Sequence, residues 1–118
     1  MKSYTDIEQS QKLIELGIDI KTADMYWWYL EKSSGKRYYV GTMDDDNFNE
    51  KTDVPAWSLT ALLSLLKPYG SDTYTMWGTL NGGAGIEFAD LTDVSFQEDE
   101  PLDAVFRMVC WLKEKGKL

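Results

Sequence analysis

The chain has 118 residues, 43% of them hydrophobic and 14% aromatic, which is the material of one ordinary domain and excludes intrinsic disorder. Its formal net charge is −8, and its longest nearly apolar stretch, Ala61 to Leu66, is broken by Ser64 and far below the ~20 residues of a membrane span. The charge is regional. No Lys or Arg lies between Lys67 and Arg107, whereas eight acids do: Asp72, Glu87, Asp90, Asp93, Glu98, Asp99, Glu100 and Asp103. Such a region repels nucleic acid phosphate, so direct nucleic acid binding is not expected.

In chain order, Thr5-Asp6-Ile7-Glu8 has the form of a capping box, with Thr5 as N-cap. The helix it opens runs to about Leu16, and Gly17 supplies the left-handed stop. Its apolar stripe of Ile7, Leu13, Ile14 and Leu16 is partial, which places it on the outside of the core. Asp24 to Leu30 is short and aromatic-rich and reads as a strand; Lys36 to Thr42 is its hairpin partner. A turn at Ser34-Gly35 pairs Tyr29 with Val40 and Trp28 with Gly41. Residues 43–53 are polar and loop-like.

Pro55 is expected to open a second, strongly apolar helix carrying Trp57, Leu59, Leu62, Leu63, Leu65 and Leu66, the most buried of the three, ended by Pro68 and Gly70. Thr73 to Leu80 and Ile86 to Leu91 read as strands joined by the glycine-rich run 81–85. In that hairpin Tyr74, Met76, Ile86 and Phe88 point inward, and Thr75, Trp77 and Glu87 outward. A last helix opens at Pro101, buries Leu102, Val105, Phe106, Met108, Val109 and Leu112, and is capped by Gly116. The order α-ββ-α-ββ-α predicts a single α+β domain over 1–118, with three helices on one antiparallel, four-stranded sheet built of two hairpins. Pro55 to Lys67 echoes Pro101 to Lys113 at a constant offset of 46 residues. Any two amphipathic helices opened by proline partly match in this way, so the echo reads as coincidence in preference to duplication.

Chemistry-bearing residues are sparse. Histidine is absent, which removes the commonest general base and metal ligand. Cys110 is the only cysteine and sits in an apolar helix, so no disulfide framework, zinc site or catalytic thiol is expected. The Asp44-Asp45-Asp46-Asn47 run with Glu50 misses EF-hand spacing, and the run 81–85 lacks the lysine and following helix of a phosphate loop. Carboxylate pairs such as Asp90/Asp93 and Glu98/Asp103 are inevitable among 20 acids and single nothing out. The sequence therefore predicts no enzyme and no cofactor.

The aromatics offer the strongest functional signal. Alternation places Tyr26, Trp28 and Leu30 on one face of the first strand and Met25, Trp27 and Tyr29 on the other. Trp27, Tyr29, Tyr38 and an outward Trp77 then form either an open aromatic patch or ordinary core beneath a helix. An open patch marks a surface for self-association or for a protein partner, or a platform on which sugars and other small molecules stack. The alternative is an acidic inhibitor or nucleic-acid mimic that presents Asp90, Asp93, Glu98, Asp99 and Glu100 to a basic protein.

YTDIEQSQKL at the start, ADMYW at 23–27, VPAWSLTALLSLL at 54–66 and PLDAVFRMVCWLKEKGKL at 101–118 resemble an uncharacterised family of small proteins from Bacteroides-group gut bacteria and their phages. That resemblance covers about half the chain and implies a bacterial, intracellular or phage-associated protein with no assigned activity. The N-terminal MKSYTDIEQSQ has one lysine and no apolar h-region, so a cytoplasmic protein without a signal peptide is expected.

Overall fold

The computed structural model of the chain describes residues 2–45, 47–66, 74–78, 83–88 and 95–118. Helix α1 (Ile7–Glu15) starts one residue later than the Thr5 reading, with Asp6 as N-cap. The Asp6 carboxylate accepts from the Gln9 amide at 2.7 Å, and the Gln9 side chain accepts from the Asp6 amide at 3.1 Å. Thr5 is unavailable as a cap because the core uses its hydroxyl. That group, fully buried, accepts from the Trp57 amide at 3.0 Å and bonds the buried Ser10 hydroxyl at 2.7 Å. Substituting Thr5→Val keeps the shape and strands both partners, so a loss of about 1–3 kcal/mol is expected in urea unfolding with an unchanged m-value.

Gly17 ends α1 at φ 91°, with the Ile18 amide donating to the Leu13 carbonyl and the Gly17 amide to Ile14, the Schellman pattern. The same pattern closes α3 (Pro101–Glu114) at Gly116.

Strand β1 (Met25–Lys32) pairs antiparallel with β2 (Gly35–Thr42) around the two-residue turn Ser33-Ser34. Tyr29 therefore faces Tyr38, and Trp28 faces Tyr39, two residues away from the expected register. Because the shift is even, every side chain keeps its predicted face. On its other side β1 pairs with β3 (Val54–Ala56), which the sequence reading missed. Pro55 belongs to this edge strand, where its missing N–H costs nothing, and does not open a helix. Helix α2 (Leu59–Ser64) starts instead at Ser58, whose hydroxyl accepts from the Ala61 amide at 3.1 Å. The expected helix end at Pro68 and Gly70 lies outside the described residues.

The second half repeats the pattern with another missed strand. β4 (Tyr74–Gly78), β5 (Ala84–Phe88) and β6 (Ser95–Glu98) form a meander. The order is thus α-βββ-α-βββ-α, with two antiparallel three-stranded sheets, β2-β1-β3 and β4-β5-β6, in place of one four-stranded sheet. Each expected hairpin acquires its own third strand, so neither needs the other for an edge. The halves differ in strand order, and Pro55 and Pro101 occupy a strand and a helix N-terminus respectively, so the 46-residue echo does not extend to equivalent structure.

Helix α3, not α2, is the most buried, with Leu102, Ala104, Val105, Met108, Val109, Cys110 and Leu112 all inside. It packs on α2, β5 and β6, while Phe106 is only half-buried. Trp57, Leu62, Leu66, Leu13 and Ile86 complete the core at full or nearly full burial. Ile86 points inward and Glu87 outward, as alternation predicts, and Met76 packs against the core.

The β1–β2 hairpin does not share this core along its whole length. Its root is held between β3 and the N-terminal segment, but residues 30–38 are exposed at every position. Accordingly the molecule extends 51 × 31 × 23 Å, and its radius of gyration of 15.4 Å exceeds the about 13.5 Å of a compact chain this long.

Candidate interaction surface: the aromatic hairpin

A two-stranded hairpin is marginal in water unless its side chains supply the missing packing. Here they do so through cross-strand rings on both faces. On one face Tyr29 and Tyr38 sit directly opposite with ring centroids 5.8 Å apart, and the Lys36 ammonium lies 4.6 Å above Tyr29. On the other, Trp28 and Tyr39 stack at 4.7 Å with ring planes 24° apart. Such pairs add roughly 0.5–1.5 kcal/mol each beyond the area they bury, enough to order an arm that has no third layer.

Trp27 anchors the root. Its indole Nε1 donates to the Thr5 carbonyl at 2.9 Å and its ring meets Tyr4 edge-on at 5.5 Å. Tyr26, 2% exposed, is fixed against Phe48 at 5.4 Å. Beyond this root the arm presents Leu30 (44% exposed) and Tyr38 (45% exposed) to solvent, with Lys32, Lys36 and Arg37 against the single acid Glu31. The net negative charge of the chain is therefore carried entirely outside this tip.

The structure brings Trp27, Tyr29 and Tyr38 to one face, as alternation predicts, and separates Trp77 from them. Trp77 lies on β4 in the second sheet, and its ring covers Gly85, where an added Cβ would fall 2.1 Å from the indole. It faces outward yet spends its surface on its own sheet. Leu30, Lys36, Arg37 and the Trp28–Tyr39 stack were not singled out by the sequence reading; the even spacing from Trp28 and the two-residue turn would have paired them.

Of the acidic candidates, Glu98 and Glu100 are engaged within the chain. Glu98 pairs with Arg107, whose guanidinium lies 4.7 Å over Phe96. Glu100 accepts from the Lys2 amide at 2.8 Å, and Asp103 accepts from the Lys2 ammonium at 2.9 Å and the Gln9 amide group at 2.8 Å. Asp99 is exposed, while Asp90 and Asp93 lie outside the described residues. Among the described residues no group of three His, Cys, Asp or Glu could hold a metal ion, and no helix is long and apolar enough to cross a membrane.

Cys110 is buried, and burial pushes its thiol up to about 11, with Glu114 adding to the effect. From the ordinary 9.0, that lowers the thiolate fraction near neutral pH by roughly 100-fold. Alkylation of the folded protein by iodoacetamide should be at least that much slower than after urea unfolding, as mass spectrometry would record.

Comparison with known proteins found no matching family model, no similar curated protein and no matching solved structure.

Proposed function

We propose that the chain is a non-enzymatic interaction protein that docks through the projecting half of its β1–β2 hairpin. The carrying observation is the combination of exposure at every position from 30 to 38 with cross-strand aromatic packing on both faces. An arm held rigid by its own rings meets a partner with little ordering cost. Aromatics, a leucine and basic residues are the composition of an interface centre with a charged rim. The complementary surface is acidic around an apolar patch, and a second copy of this chain supplies that acidity, since the residues off the tip carry a net charge of −10. Lysine on the edge strand β2 opposes edge-to-edge pairing, so docking uses a face of the arm. The same reading sets the protein in the cytoplasm, supported by a single, buried, protonated cysteine that asks for no oxidising compartment.

Sedimentation equilibrium at low and moderate salt tests this reading. Wild-type protein should self-associate more strongly at low salt, and the Leu30→Ser/Tyr38→Ser variant should be monomeric at both while keeping its unfolding midpoint within a few degrees. Unchanged association in that variant would remove the arm from the interface.

A further inference from the structure

At the root of the arm, where β1 carries Tyr26, Trp28 and Tyr29, lies a cleft of about 460 Å³. It is lined by Tyr26, Trp28, Tyr29, Asn47, Asn49 and Asp53. Two features of the chain create it. Strand β3 accompanies β1 only as far as the Trp27–Val54 pair, so the β1 edge at Trp28 and Tyr29 has no strand beside it. The chain before Val54 instead curls into a tight loop. There the Lys51 amide donates to the Asn49 side-chain oxygen at 3.0 Å, and the Asn49 amide to the Asp53 carboxylate at 2.8 Å. The Asp53 amide returns to the Asn49 carbonyl at 2.9 Å, which locks Asn49 and Asp53 in position before any ligand arrives.

The chemistry of the cleft is specific. Its floor is aromatic, with Trp28 backed by the stacked ring of Tyr39, and its wall is amide and carboxylate. With its oxygen committed to the loop, Asn49 offers its NH₂ as a donor, while the Asp53 carboxylate retains accepting positions. No Lys or Arg lines the cleft among the described residues, so a phosphate or other anion meets no counter-charge. Among the described lining residues a cation would meet one carboxylate, Asp53, which already takes the Asn49 amide. A neutral ligand with an apolar face and an edge of adjacent hydroxyls matches floor and wall together. The size lies within the range of small-ligand sites. We propose that this cleft is a saccharide site in which the C–H face of one sugar ring stacks on Trp28 while adjacent hydroxyls bond Asn49, Asp53 and Asn47. The site shares Trp28 and Tyr29 with the arm but does not use its exposed Leu30 and Tyr38.

Saturation-transfer NMR tests it on the full chain with glucose, galactose, mannose, N-acetylglucosamine, cellobiose, maltose and lactose, and with choline as a cationic control. At least one sugar should receive saturation on its ring C–H protons. Its affinity, titrated by tryptophan fluorescence, should fall about tenfold or more in Trp28→Ala and in Asn47→Ala. The Leu30→Ser/Tyr38→Ser variant should bind it unchanged. Asn47 lies outside the described strand pairings, and with its unfolding midpoint checked beside the titration Asn47→Ala stays informative even if Trp28→Ala fails to fold. Transfer to none of these sugars, transfer to choline alone, or an unchanged affinity in Asn47→Ala would each overturn the proposal.

Discussion

Trp57→Ala should cost about 3–5 kcal/mol, a large share of the 5–15 kcal/mol that holds a domain of this size together. The side chain is fully buried at the junction of three segments that are distant in sequence. Its backbone amide donates to Thr5, its carbonyl accepts from the Thr5 amide at 2.9 Å, and its indole donates to the Thr22 hydroxyl at 2.9 Å. Truncation therefore leaves a large cavity where α1, the 20–22 turn and the start of α2 meet. Trp57→Phe should cost distinctly less, because Thr22 is exposed and recovers its hydrogen bond from water. Urea unfolding followed by circular dichroism measures both; a Trp57→Ala loss below about 1 kcal/mol would contradict the packing described.

The second large effect belongs to Gly85. A Cβ there falls 2.1 and 2.2 Å from two atoms of the Trp77 indole, so Gly85→Ala must expel the ring or distort β5. A loss of about 1–3 kcal/mol is expected, together with a red shift of tryptophan emission as Trp77 moves into water. In a Trp77→Ala background the same substitution should cost much less, since the three atoms nearest the added Cβ all belong to the Trp77 ring. Equal losses in both backgrounds would mean that β5 resists the methyl group for its own reasons. Trp77→Ala alone should leave self-association unchanged, because its ring serves the second sheet.

Much of the fold was legible where local chemistry acts alone. Gly17 and Gly116 stop their helices, the aromatic alternation sorts β1 into its two faces, and the apolar spacing of α3 gives its buried stripe. The misreadings occur where tertiary partners decide. Val54-Pro55-Ala56 is too short to show a period of two, so the proline pointed to a helix start that the pairing with β1 overrides. Ser95–Glu98 is polar at three of four positions, and only Phe96 packs on the core. Thr5 and Asp6 compete for the N-cap, and the amide of Trp57, 52 residues away, decides between them.

The candidate surface was half legible for the same reason. Composition revealed the aromatic faces, but which part stands clear of the body depends on where β3 stops pairing. The acidity of residues 68–106 was plain in the sequence; that Glu98, Glu100 and Asp103 serve Arg107, Lys2 and Gln9 required the fold.

Amide hydrogen exchange of dilute and concentrated protein, resolved along the chain, tests the docking arm most directly. In dilute, monomeric protein, residues 30–38 should exchange quickly apart from the cross-strand bonded amides, while α3 is strongly protected. On association at low salt, added protection should concentrate on residues 28–39 and on exposed acidic segments of the second copy, and moderate salt should reverse it. Added protection that spares residues 28–39, or none at any concentration, would contradict the assignment of the hairpin as the interaction surface.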